Sequence, residues 1–366
     1  MADTYAIDSH KLIYHPERTA QVLQAAGSWE KSKTVYPIYL EISPIGVCNH
    51  RCIFCAVDYI GYNTERLKLN LLQERLPEMA RLGVKSVMFA GEGEPLLHSE
   101  IGKILQIAKQ SGLDSALTTN ATVLPPGFIE NGLPALSWIK ISINAGTPEG
   151  YMKIHRAKKA GDFAKVISNM KKMVQSKRER NLDCVLGGQA ILLPDNADQM
   201  ETLVKICRDE VGLDYLVIKP YSQHLSSETR LYEDIDYSSF LALGEKLSAM
   251  SKPGFSVVFR GKTMEKYSDP ERYDHCYATP FLWGYIMSSG VVSGCSAYLL
   301  DSRFEYGNIK EQSFQEIWEG EARHKGWEFI QKELDISNCR RNCRMDEINR
   351  YLHKISTASV PHLNFI

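Results

Sequence analysis

Apolar positions along the chain switch between two periods. Short runs rich in β-branched and aromatic residues predict strands at 36–43 (YPIYLEIS), 85–91 (KSVMFAG), 114–120 (DSALTTN), 138–144 (WIKISIN), 183–193 (DCVLGGQAILL) and 215–221 (YLVIKPY). Between them, apolar residues three and four apart predict helices at 71–83, 99–112, 163–176 and 197–212. About six alternating strand and helix units imply a parallel sheet with right-handed crossovers, as a partial barrel or an open doubly wound sheet. Residues 1–35 are polar, with one amphipathic run at 15–27, and form an N-terminal extension whose helix packs on the body of the chain. The barrel unit is assigned to 36–255. After about Ser251 the alternation stops, and a Gly-rich, Cys-bearing segment over 256–366 is read as a second, smaller domain. Within it, Tyr277 to Leu300 carries no charge, but Pro280, Gly284, Gly290 and Gly294 break it into two short strands around a turn rather than a membrane span.

In parallel α/β folds the ligand sits at the carboxyl ends of the strands, where loops converge. Three polar segments fall there: Cys48 to Cys55 after the first strand, Gly91-Glu92-Gly93-Glu94-Pro95 after the second, and Thr118-Thr119-Asn120 closing the third.

Composition narrows the partners. The chain has 366 residues, 43 Lys and Arg against 44 Asp and Glu, and a net charge of −1, so neither nucleic acid nor an anionic membrane is an expected partner. Nine cysteines occur in tight local groups. The odd count and an N-terminus without a charged-then-apolar signal pattern argue for metal-binding thiols in a reducing, cytoplasmic setting rather than a secreted disulfide framework.

Cys48, Cys52 and Cys55 have the spacing CxxxCxxC on a loop after a strand. Three thiolates hold an iron cluster with one coordination position left open, which separates a reactive metal site from a closed one. A zinc site completed by His50 or a distant ligand is the structural alternative. The motif, with Phe54 before its last cysteine, resembles the signature of the radical SAM enzymes. That resemblance implies a partial (β/α)6 TIM-like barrel, a [4Fe-4S] cluster on the three cysteines, and S-adenosylmethionine chelated at the open iron. It further implies an external electron donor such as flavodoxin or ferredoxin, and a 5′-deoxyadenosyl radical that abstracts hydrogen from a C–H bond. Glu92-Gly93-Glu94-Pro95 resembles the family's GGEP segment, with Glu92 in place of the first glycine, and Thr119-Asn120-Ala121 its TNG-type turn, with Ala121 in place of glycine. By the same resemblance Ser142 and Asn144 face the ribose or carboxylate of the cofactor, Arg156 pairs with the methionine carboxylate, and Gln189 and Ile191 lie near the adenine. Phe54, Glu92, Gly93, Glu94, Asn120, Ser142, Asn144, Arg156, Gln189 and Ile191 thus form the expected cofactor-binding set.

Cys276, thirteen residues, Gly290, four residues and Cys295, then Cys339 and Cys343 as CxxxC, form a second group. The pattern resembles the SPASM or twitch extension of the same superfamily, here with four cysteines for one closed auxiliary [4Fe-4S] cluster on a β-hairpin plus helix. A structural four-cysteine zinc site is the alternative. Arg340, Arg341 and Arg344 beside these ligands would raise a cluster potential and favour acceptance of an electron, the alternative being that solvent shields their charge.

For the substrate, Lys219 and His224 in VIKPYSQH are candidate bases, and Cys184 a candidate hydrogen-atom donor, whereas Cys207 on an apolar helix position is a core thiol. These residues together imply a radical SAM oxidoreductase acting on a small polar metabolite: a sugar, aminocyclitol or nucleotide sugar, as in the superfamily's aminocyclitol dehydrogenases. A peptide maturase or epimerase is the alternative, although such enzymes often carry a recognition domain of about 80 residues and only 35 precede the first strand here. A non-catalytic metal-binding or electron-transfer protein is the third reading, and it leaves the GEGEP segment without a use.

Overall fold

The structure, a computed structural model, describes residues 5–266, 272–340, 342–357, 361–362 and 364–365. Two helices, α1 (Pro16–Ala25) and α2 (Trp29–Ser32), lead into β1 (Tyr39–Ile42), α3 (Leu69–Arg81), β2 (Ser86–Phe89), α4 (Ile101–Gln110), β3 (Asp114–Thr119) and β4 (Trp138–Ser142). The chain continues through α5 (Pro148–His155), α6 (Asp162–Glu179), β5 (Val185–Leu192), α7 (Met200–Lys205), β6 (Tyr215–Pro220), α8 (Leu241–Ser248) and β7 (Ser256–Phe259). A short α9 (Gly261–Glu265), β8 (Trp283–Ile286), β9 (Val291–Ser293), β10 (Glu305–Asn308), α10 (Phe314–Glu319), α11 (Glu321–Lys332) and α12 (Asp346–Thr357) complete it.

Strands β1 to β7 pair in parallel and in order. The helices pack outside. On α4, Ile101, Ile104, Leu105 and Ala108 are buried, the i, i+3, i+4, i+7 stripe of a helix with one apolar face. The alternate outward residues of the strands, such as Leu40 and Ile42, Ile139 and Ile141, and Leu216 and Ile218, share that core. The remaining strand positions face inward, because side chains alternate along a strand. Two small apolar groups lie there: Met88, Ala90 and Ala116 with Tyr39 and Trp138, and Tyr215, Val217 and Val258 with Tyr5 and Ile7.

Two features differ from the sequence expectation. The alternation does not end at Ser251: α8 and β7 add a seventh parallel strand, β7 pairing Ser256 to Phe259 with Tyr215 to Ile218 of β6. Its four residues come directly after the Lys252–Phe255 turn and are too few to stand out as a period. Nor is the sheet interrupted where the second domain begins, since β8 pairs in parallel with β1 while β9 and β10 continue antiparallel, giving one ten-stranded sheet. The N-terminal extension packs on this C-terminal part, with Leu12, Val22 and Ala25 sharing a core with Phe281, Trp327 and Leu352. A fully buried Arg323 ties the same region together, donating to the carbonyls of Trp318 (2.7 Å), Pro280 (2.6 Å) and Ser32 (3.4 Å). No described helix is long and apolar enough to cross a membrane.

Candidate active site

The loop after β1 carries Cys48, Cys52 and Cys55, all unbridged. It is pinned to the end of α5 by the backbone N–H groups of Arg51, to the His155 carbonyl at 3.3 Å, and Ile53, to the Ile154 carbonyl at 3.0 Å. His155 is wholly buried and its Nδ1 lies 3.4 Å from Cys52 Sγ. The backbone N–H of Asn144 donates to His155 Nε2 at 3.2 Å, so the ring proton resides on Nδ1 and points at the sulfur. Burial, with His50 beside it, holds the His155 pKa well below the usual value and keeps the ring neutral. Phe54 packs edge-on against His155, ring centroids 5.7 Å apart.

The segment after β2 closes over this loop. Gly93 is required there: a Cβ would stand 2.3 Å from the Ile45 carbonyl oxygen and 2.5 Å from that of Val47. Glu94 N–H donates to the Val47 carbonyl at 2.8 Å. The Glu94 carboxylate accepts from the backbone N–H groups of Leu96 (2.9 Å) and Asn120 (2.7 Å) and from the Thr119 hydroxyl, so its side chain links β2 to β3. Asn120 in turn donates to Asn49 Oδ1 at 2.9 Å and accepts from Thr122, bracing the cysteine loop. Ala121 sits at φ 53°, the left-handed conformation that glycine takes most easily.

Several expected roles are corrected by this geometry. Glu92 turns away from the cysteine loop and accepts from the Ser288 hydroxyl at 2.6 Å and backbone N–H at 3.2 Å, joining the β2 loop to the β8–β9 turn. Asn144 spends its side chain on the Ile191 N–H (2.6 Å) and on His155, and its carbonyl on Asn196 (2.8 Å), so it acts as a brace. His224 is no base: Nδ1 accepts from the Ser226 N–H (3.1 Å) and Nε2 donates to the Ser296 carbonyl (2.9 Å), leaving no free lone pair. Burial lowers its pKa to about 4. Cys184 precedes β5 at the amino-terminal edge of the sheet, in the core between sheet and helices, with Lys177 and Asp214 near it, so it cannot reach the carboxyl rim. Arg156 is exposed, in a left-handed C-cap of α5 directly after His155. Ser142, Gln189 and Lys219 lie on inward strand positions, half-buried and without a side-chain hydrogen bond among the described residues.

The second cysteine group gathers from three segments. Burial raises the pKa of Cys295, and the charges of Cys343, Cys276 and Cys339 raise it further, so the four side chains lie within electrostatic reach of one another. Each sulfur has one donor: Asn349 Nδ2 to Cys276 (3.6 Å), the Ala297 N–H to Cys295 (3.4 Å), the Tyr298 hydroxyl at Cys339 (3.3 Å), and the Met345 N–H to Cys343 (3.4 Å). Asn349 is fixed for this because its Oδ1 accepts from the Tyr277 and Ala278 N–H groups. Arg340 donates to Ser222 after β6, and Arg344 to the Tyr39 hydroxyl (2.7 Å) while pairing with Glu41 at 3.0 Å. Arg341 lies outside the described residues.

Both groups fit iron-sulfur clusters. Burial above all, with Glu94 beside Cys48 and Cys276 beside Cys343, raises these two thiols to about 12, so they ionise only with a cation to hold, and the donors aimed at the sulfurs suit sulfur that stays charged. The His50, Cys52 and His155 ligand atoms also lie within 4.8 Å of one another, but the Nδ1 proton turns His155 into a donor to sulfur. Sequence reasoning missed His155, Asn349, Tyr298 and Ser288. Their roles depend on contacts between segments far apart in the chain, which no local pattern signals.

Comparison with known proteins agrees with this geometry. Residues 42–207 match the Radical SAM superfamily, and residues 276–344 match the SPASM iron-sulfur cluster-binding domain. An S-adenosylmethionine-dependent nucleotide dehydratase of Lacinutrix mariniflava is 33% identical over 115 residues, 30% of this chain and 24% of that one. A GTP 3′,8-cyclase of Chlorobaculum tepidum is 24% identical over 192 residues, 51% of this chain and 55% of that one. The match thus spans about half or less of these relatives. Streptococcus suis SuiB bound to S-adenosylmethionine shares the fold at 18% identity, with a TM-score of 0.63, covering 93% of this chain and 78% of that one.

Proposed function

We propose that this chain, a radical SAM protein with a C-terminal SPASM iron-sulfur domain, oxidises a small polar metabolite at a C–H bond held inside the barrel. The observation that carries the proposal is the contrast between the two cysteine groups: three on the loop after β1 and four drawn from segments around β8 to β10 of the same sheet. Cys48, Cys52 and Cys55 would hold the cluster, which would supply one-electron reductive cleavage of S-adenosylmethionine bound at its open position.

The chain's own residues hold and align the participants. Gly93 and Glu94 press the cysteine loop onto β2 and β3, Asn49 and Asn120 brace its flank, and in this reading the exposed Arg156 after α5 takes a carboxylate. The inner face between Ser142, Gln189 and Lys219 is where a substrate meets that rim. A C–H oxidation removes one hydrogen atom and then one electron and one proton. The four-cysteine group, each sulfur carrying a donor and Arg340 and Arg344 close by, suits acceptance of that electron.

The curated relatives are named for a nucleotide and for GTP, which favours a small molecule over a peptide. The test is to incubate loaded, reduced protein with perdeuterated metabolite pools and, separately, with peptides. Deuterium appearing in 5′-deoxyadenosine from the metabolites supports the reading. Transfer from peptides alone overturns it.

A further inference from the structure

We propose that residues 5–8 form a side wall of the substrate chamber, latched by Asp8, and that this wall restricts the chamber to small molecules. This rests on the small-metabolite reading above and names the residues that set its size limit.

The ten-stranded sheet is open, and β7 is its last strand on one side. On β6, Leu216 and Ile218 belong to the core shared with the helices, so Tyr215 and Val217 face inward, and Val258 of β7 joins them. The N-terminal segment covers this inner patch. Tyr5 and Ile7 pack on it, the Tyr5 and Tyr215 ring centroids 4.9 Å apart. Tyr215 opens β6, whereas the next anchor lies past the end of β7. There Asp8 pairs with Arg260 at 3.2 Å and accepts from the Lys262 backbone N–H at 3.1 Å and from the Thr263 hydroxyl. The segment therefore runs along the inner side of β6 and β7 from their amino ends to their carboxyl ends.

The latch adjoins the inner face assigned to the substrate. Arg260 follows Phe259, the partner of Ile218, and its N–H is bound to the Ile218 carbonyl at 2.9 Å, so it stands level with Lys219. Beyond the latch the chain crosses to the C-terminal part: the His10 ring centroid lies 4.8 Å from that of Tyr351 on α12, and Leu12 enters the core that holds Leu352. α9 is tied to the same helix, as its C-cap Lys266 pairs with Asp346 at 2.8 Å. Both connections span the opening between the β7 edge and α12.

Asp8 fixes the wall in place. Its carboxylate accepts from a guanidinium, a hydroxyl and a backbone N–H in the first turn of α9, and charge-assisted hydrogen bonds are the strong ones. The apolar cover is thinner, since Tyr5 and Ile7 are only half-buried, so the segment depends on the carboxylate to stay down. Hydrogen abstraction requires that C–H bonds other than the substrate's be kept away from the radical, which a shut side wall does. A peptide chain then has no entry across the β7 edge.

The experiment uses the anaerobic, cluster-loaded, dithionite-reduced full chain with S-adenosylmethionine and, separately, perdeuterated glycerol and a perdeuterated peptide digest as hydrogen donors. Mass spectrometry of 5′-deoxyadenosine reads the deuterium atom moved from a probe carbon to the 5′ carbon. Native protein is expected to take label from glycerol and little from the peptides. Asp8→Ala should take severalfold more from the peptides at unchanged total 5′-deoxyadenosine. Ile7→Asp, which sets a charge against Tyr215 and Val217, should do the same, and the surface variant Asp209→Ala should match native. Hydrogen exchange should show the amides of residues 5–8 opening about tenfold faster or more in Asp8→Ala, with those of the cysteine loop unchanged. Peptide labelling at the native level in both Asp8→Ala and Ile7→Asp, or amides no less protected in Asp8→Ala, overturns the proposal. If native protein discriminates against peptides and the variants do so equally, the wall fails alone. If native protein takes label from peptides as readily as from glycerol, the small-metabolite reading falls and the wall with it.

Discussion

His155 presents its Nδ1 proton to Cys52 Sγ across 3.4 Å because the Asn144 backbone N–H already occupies Nε2. A hydrogen bond to a ligand sulfur makes the reduced, more negative cluster easier to reach, so it raises the potential. His155→Phe keeps a ring to stack on Tyr151, whose centroid lies 4.1 Å away, but removes the donor. The expected outcome is a lower midpoint potential for the three-cysteine cluster in an EPR-monitored redox titration, with the four-cysteine cluster unmoved. An unchanged potential would show that the contact does not tune the cluster.

Glu92 and Ser288 couple the two halves of the sheet through two hydrogen bonds to one buried carboxylate. Ser288→Ala leaves that carboxylate short of a partner and should cost about 1–3 kcal/mol in denaturant unfolding. A double-mutant cycle with Glu92→Gln should return an interaction energy of roughly 0.5–3 kcal/mol. Simple additivity would mean that the two residues do not act together.

Gly93→Ala places a methyl against two backbone carbonyls that cannot swing aside as a side-chain tip would. The cysteine loop must shift. Iron bound by Cys48, Cys52 and Cys55 should be lost while the four-cysteine group keeps its own, as iron analysis with Mössbauer spectroscopy would register. Full loading of both sites would contradict the close packing described.

Lys219 makes stability depend on pH in an unusual direction. Burial, then the charges of Arg260, Lys140, Arg344 and Arg340, lower its pKa to about 7, against 10.5 for the free side chain. Between these values the unfolded chain binds the proton and the folded chain does not, so this group's contribution to stability rises with pH from about 7 upward and its penalty is fullest below 7. Lys219→Met should therefore stabilise the ligand-free protein most at pH 6, with the gain shrinking by pH 9, in thermal or denaturant unfolding. A gain independent of pH would indicate that the lysine is not charged in a crowd of cations.

Much of the architecture is legible from local pattern, since apolar periods mark β1 to β6 and their helices, and the cysteine spacings mark the two groups that the fold assembles. What escapes is whatever depends on pairing between distant segments. The four residues of β7 are recognisable as a strand only by their register with β6. Glu92 departs from the family's glycine, and the reason is Ser288, 196 positions away. His224 looks like a base in sequence, but the Ser296 carbonyl and the Ser226 N–H occupy both ring nitrogens. Asn144 lies just past β4 at the carboxyl rim, as a ligand-binding residue would, yet it holds His155 and β5 in place. Cys184 precedes β5 at the opposite edge of the sheet from the carboxyl rim, a distinction of strand end that a free thiol in a sequence does not display.

The most direct measurement of the central claim, one open and one closed cluster site on a single sheet, is 5′-deoxyadenosine formation by anaerobically reconstituted, dithionite-reduced protein given S-adenosylmethionine. The account expects product from the native chain, none from Cys52→Ala, and retained cleavage in Cys339→Ala, whose three-cysteine loop is intact. No product from native protein with both sites fully loaded with iron, or undiminished product from Cys52→Ala, would contradict it.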